Sequence, residues 1–129
     1  MKRHLIHGLV AGVLSALAGI IYLVIYEYFT MVDFNTLINE GAIAGSSIFG
    51  TMLMAVGYGL LDKTNKNKFI GVLNVLIMLL SFLSILGPIS MTLPLEFEFP
   101  ELLPGLAIPM HFFPAMIFFG LEPFFRKRV

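Results

Sequence analysis

Four runs of apolar residues, each about one bilayer thick when helical, take up most of this sequence and constrain every other reading of it. They cover roughly 5–29, 40–61, 69–91 and 103–125, and short polar segments separate them. Of the 129 residues 58% are hydrophobic and only 12% charged, with a mean hydropathy of +0.93. A water-soluble domain carries about 25% charged residues, and one of this length has too little interior to hide so much apolar side chain. Lipid as the solvent resolves the conflict. The expected fold class is an all-α membrane protein, a four-transmembrane-helix up-down bundle with a single integral membrane domain over 1–129. Its short connections make successive helices antiparallel neighbours.

The first run has a rival reading as a signal peptide, because Lys2 and Arg3 precede it and Ala16-Leu17-Ala18 resembles a cleavage site. The chain from Gly19 to Ile25 stays apolar beyond that point, so the run reads as an uncleaved helix. The third run weakens at Gly87-Pro88.

Eight basic and eight acidic residues cancel to a formal net charge of zero, yet they are segregated along the chain. Lys2, Arg3, Lys63, Lys66, Lys68, Arg126, Lys127 and Arg128 all fall at the N-terminus, the middle turn or the C-terminus. The opposite side holds Glu27, Asp33, Glu40, Glu96, Glu98 and Glu101 without a single Lys or Arg. Basic residues in short loops stay on the cytoplasmic side, so both termini and the middle turn are expected there, in a bacterial-type plasma (inner) membrane. The acidic side would form a negative mouth that concentrates cations, or would simply be a solvated loop side from which basic residues are excluded. Within it, residues 93–102 alternate Leu93, Leu95, Phe97 and Phe99 with Pro94, Glu96, Glu98 and Pro100, the period of an extended strip lying on the interface.

Three groups of residues stand out inside the runs. Gly8, Gly12, Ser15 and Gly19 share one face of the first helix; Gly41 with Gly45, and Ser46 with Gly50 and Gly57, recur in the second. Small residues let lipid-embedded helices approach closely, so a seam between these two helices is expected in preference to a dimer interface. Next, a rise of about 1.5 Å per residue puts Tyr22, Ser46, Ser47, Ser84 and His111 at similar depth, roughly 4–8 Å outward of their helix midpoints. A histidine there must face the bundle interior or a wet cavity. The plain account is a neutral imidazole bonded to a serine, or to a carbonyl freed by Pro109 or Pro114; the functional ones are a ligand contact or a step in a proton pathway. On the same rise His7, Tyr58, Asn74 and Glu122 form an inner polar layer, with Glu122 four residues before Arg126 and able to pair with it.

His7 and His111 differ in depth by about 20 Å, so they cannot share a metal ion or haem, and neither a metal nor another cofactor is expected. Met110 beside His111 lies on a different helix face and does not complete a copper site. Without cysteine the chain has no thiol chemistry. Phosphate-binding glycine loops, His-Glu-x-x-His and Gly-x-Ser-x-Gly are absent, as is a basic aromatic surface for nucleic acid. The preferred expectation is a non-enzymatic channel-like, transporter-like or accessory subunit with a polar layer around His111. It would be embedded in the lipid bilayer and act as a homo-oligomer or beside a larger membrane partner. The alternatives are a membrane enzyme using His111 as acid/base on a lipid or quinone-like substrate, and a purely structural scaffold without a cavity. No catalytic residue is assigned.

Overall fold

The structure, a computed structural model, describes residues 1–93, 97 and 99–125. Helix α1 spans Lys2–Thr30, α2 Glu40–Lys63, α3 Ile70–Ser84, α4 Leu86–Ser90 and α5 Leu103–Phe125. Single 3-10 turns at Asn67–Phe69 and Pro100–Leu102 precede α3 and α5. Four stretches, Lys2–Thr30, Glu40–Lys63, Asn67–Ser90 and Pro100–Phe125, are long and apolar enough to cross a membrane. Among the described residues all regular structure is helical.

Local chemistry sets the boundaries. After α1, Met31 takes a left-handed conformation and its N–H returns to the Glu27 carbonyl at 2.8 Å, a common way for a helix to stop. Asn39 caps α2, its side-chain oxygen accepting from the Ala42 amide at 2.8 Å. The third span is not one helix. Pro88 lacks the amide that would reach the Ser84 carbonyl and its ring crowds that carbonyl, so the helix breaks at Ile85 and resumes as α4. The loop strip ends earlier than its alternating pattern implies. Phe99 has a left-handed backbone and Pro100 starts a 3-10 turn, while Phe97 folds inward with its ring 5.7 Å from that of Phe34.

Pairwise contacts define an antiparallel bundle. Gly8 meets Ala55 and Gly19 meets Ile43, so α1 and α2 run in opposite directions. Tyr22 reaches Gly105 while His7 reaches Phe118, which opposes α1 and α5; Phe82 against Phe112 places α3 beside α5. The seam on α1 is as expected: a Cβ at Gly8 would lie 2.6 Å from the Ala55 Cβ, and one at Gly12 2.8 Å from the Ile48 Cα. Its α2 partners differ from the expectation. Gly45 and Gly50 have nothing within 4 Å of an added Cβ, and Gly57 turns to Leu73 of α3. Ile48, Thr51 and Ala55 supply the α2 side instead, because Ala and Thr are small enough once the α1 face is glycine.

Two buried clusters hold the bundle. One, at the end carrying the N-terminus and the α2–α3 turn, contains Ala11, Ala55, Tyr58, Ile77, Ala115 and Phe118. The other, at the opposite end, gathers Leu23, Val32, Phe34, Ile43, Leu103 and Leu106. Outward faces are equally apolar: Ile21, Val24, Phe49, Val75, Leu79 and Leu80 are all exposed. Helices that are apolar all round have no aqueous face to present.

Candidate functional site

A cavity of about 640 Å³ lies between all four spans in the half of the bundle away from the N-terminus. Among the described residues its polar lining consists of Ser15, Ser46, Ser47, Ser81, Ser84 and His111. Helices α2 and α3 meet near their connected ends, where Gly57 faces Leu73 and the Tyr58 hydroxyl donates to Asn74 Oδ1 at 2.5 Å. Farther along, the lining residues Leu53 on α2 and Leu80 on α3 are exposed, so the cavity opens sideways between these two helices. Most of the wall is apolar, with Ile43, Met54, Leu73, Ile77 and Phe113 among its members.

Of the residues placed at one depth by helical rise, Ser46, Ser47, Ser84 and His111 do line one space. Tyr22 does not. Pro109 lacks the amide that would bond the Gly105 carbonyl, and the Tyr22 hydroxyl donates to that carbonyl at 2.8 Å, restoring the missing bond from another helix. His111 therefore takes a different acceptor from those expected: Nδ1–H donates to the Ala107 carbonyl of its own helix at 2.7 Å. A carbonyl can only accept, so Nδ1 carries the proton, and in the neutral ring Nε2 keeps its lone pair. Ser15 and Ser81, which depth alone does not assign to this layer, complete the lining. Ser15 belongs to the small-residue face, and its Oγ is buried without a hydrogen-bond partner among the described residues. Its role depends on which way α1 is rotated, which depth does not reveal.

The other end holds a second space of about 580 Å³, and it collects the whole inner layer: His7, Tyr58, Asn74 and Glu122. His7 Nε2–H donates to the Phe118 carbonyl at 2.9 Å, and its ring stacks between Phe118 and Phe125 with centroids 4.0 and 4.7 Å away. His4 and Asp62 join this layer through a 3.3 Å contact from Nε2 to Oδ2, and Asn67 adds a longer bond to Oδ1 at 3.4 Å. His4 follows Lys2 and Arg3 at the start of the chain, and the α1–α2 register brings it to Asp62. Arg126, the expected partner of Glu122, lies outside the described residues.

The acidic side is partly consumed by structure. Glu27 Oε1 accepts from the Phe34 amide at 2.8 Å and so holds the turn that buries Phe34. Asp33 Oδ1 accepts from the Asn35 amide at 2.8 Å, an Asx-type turn. Glu40 and Glu101 are exposed, in the first turns of α2 and of the 3-10 segment. Glu96 and Glu98 lie outside the described residues. No group of three or more His, Asp or Glu that could hold a metal ion occurs among the described residues. Comparison with known proteins gives no match to any family model, curated protein or solved structure.

Proposed function

We propose that this chain is an integral protein of a bacterial-type plasma membrane that takes a small, mainly apolar solute from the bilayer into the four-helix cavity, as a transporter-like or accessory subunit. The N- and C-termini and the α2–α3 turn face the cytoplasm in this reading, because the basic residues gather there. The observation that carries the binding role is the cavity itself, at about 640 Å³ with apolar walls, a few hydroxyls and one imidazole. Small-molecule sites typically enclose roughly 300–1,000 Å³ and combine apolar walls with a few placed polar groups. Its opening between α2 and α3, at the exposed Leu53 and Leu80, suits entry from lipid. Binding is favoured over acid–base catalysis because, among the described residues, His111 is the sole titratable residue in the lining, without a carboxylate beside it to orient it or share its proton.

The cysteine-free sequence makes both parts testable without background labelling. On intact cells, a membrane-impermeant maleimide should label Asp33→Cys and Glu101→Cys but leave Lys66→Cys untouched; the reverse pattern would overturn the orientation. For the cavity, Met54→Cys lines it and Val75→Cys lies on the outer face of α3. In lipid nanodiscs, 1-decanol should slow N-ethylmaleimide labelling of Met54→Cys and leave Val75→Cys unaffected. Equal rates at Met54→Cys with and without 1-decanol would end the solute-binding reading.

A further inference from the structure

Resting on that reading of the cavity, we infer that the solute it selects carries a neutral hydrogen-bond-donating head, an alcohol or phenol O–H, and that His111 Nε2 is the acceptor for that proton. Most of the lining's own protons are already committed. Ser46 Oγ donates to the Ile43 carbonyl at 3.2 Å, Ser81 Oγ to the Ile77 carbonyl at 3.0 Å and Ser84 Oγ to the Ser81 carbonyl at 2.7 Å. Each of these carbonyls can only accept, so each serine proton is committed to its own helix. What the three serines offer an occupant is oxygen lone pairs. His111 repeats the pattern, with Nδ1–H committed to Ala107 and a bare Nε2 left over. Four of the six polar side chains are thus acceptors only.

Ser15 and Ser47 are the exceptions. The Ser15 residue is fully buried, its Oγ has no partner, and Ser47 is 5% exposed with no hydrogen bond from its own hydroxyl among the described residues. These two hydroxyls can donate as well as accept. A solute hydroxyl matches the set: it gives its proton to Nε2 and accepts one from Ser15 or Ser47. An ether or a ketone brings lone pairs only and leaves Nε2 facing another acceptor. An ammonium would supply donors, but it must shed its hydration shell in a lining that has no carboxylate among the described residues, which costs far more than moving a neutral hydroxyl. The same logic ranks a quinol above its quinone.

The experiment compares heads on one tail. At equal membrane concentration, 1-decanol, decyl methyl ether and decylammonium are each tested for protection of Met54→Cys from N-ethylmaleimide in nanodiscs. The expected result is half-protection by 1-decanol at about tenfold to a hundredfold lower concentration than by the ether, the usual consequence of leaving a buried acceptor unpaired. Decylammonium should protect no better than the ether. His111→Phe keeps an aromatic ring and removes the acceptor, and should erase the preference for alcohol over ether while some protection persists. Gly50→Leu, where nothing lies within 4 Å of an added Cβ, should fill the space and weaken all three probes together. Equal protection by alcohol and ether in the parent, or a preference unchanged in His111→Phe, would overturn the inference while leaving solute binding intact. Should His111→Phe fail to fold, the head-group ranking in the parent decides by itself. An absence of protection by any probe would overturn the cavity reading and this inference together.

Discussion

His7 and His111 sit in comparable surroundings by composition, each in a polar layer near one end of the bundle, but their environments differ in kind. His7 is 1% exposed, stacked between two phenyl rings and bonded to a carbonyl on another helix. Around it His4, Asp62, Asn67, Tyr58 and Asn74 bond one another across helix boundaries. His111 is half-buried, and its one bond goes back to its own helix. The serines near it behave the same way. Polar groups that bond between helices fasten them together; polar groups that bond within a helix leave the neighbouring helix unattached. The first end is therefore a clasp across several helices, whereas at the second Tyr22 and Tyr26 tie α1 to the start of α5 and the serines and His111 leave the α2–α3 side open.

Substitutions can break this contrast. The largest effect is expected at the seam that both ends share: Gly12→Leu would force a side chain into the Ile48 backbone and Thr51, and should cost about 3 kcal/mol or more, seen as loss of folded protein in detergent. Gly50→Leu, facing the cavity, should leave the thermal midpoint unchanged or raise it slightly. Next comes His7→Ala, which removes a fully enclosed ring from between Phe118 and Phe125 together with its bond to α5; a loss of about 2–3 kcal/mol is expected in denaturant melts. Tyr22→Phe should cost about 1–2 kcal/mol by exposing the gap that Pro109 leaves at Gly105, and the double variant with Pro109→Ala should recover most of it. His111→Phe is the smallest, under about 1 kcal/mol, because the Ala107 carbonyl retains the bond from its own helix turn. A His111 variant as damaging as His7→Ala would show that this end is a clasp too.

Much of the inner layer was legible because depth follows from counting residues. His7, Tyr58, Asn74 and Glu122 lie at one level for that reason, as do Ser46, Ser47, Ser84 and His111 at the other. The count failed wherever rotation about the helix axis mattered. It gave Tyr22 the depth of His111 but not its direction, since the Tyr22 hydroxyl turns to Gly105 and the residue does not line the cavity. It matched the α1 glycines with those of α2, whereas Ile48, Thr51 and Ala55 face them. The weakening expected at Gly87-Pro88 in the third span is found just ahead of that pair, as the break at Ile85.

By itself the sequence determined four spans long enough for a membrane, the segregation of charge and the axial level of each polar residue, because rise per residue is nearly constant in an α-helix. Tertiary structure alone decided which face of each helix turns inward. In a soluble helix the apolar stripe announces that face, but these helices are apolar on every side. The rotation is chosen instead by the close fit of Gly8, Gly12 and Gly19 against α2 and by the bonds from Tyr22 and His7 to α5. That choice leaves the hydroxyls and His111 around an open cavity, and with it the donor and acceptor pattern on which the proposed selectivity depends.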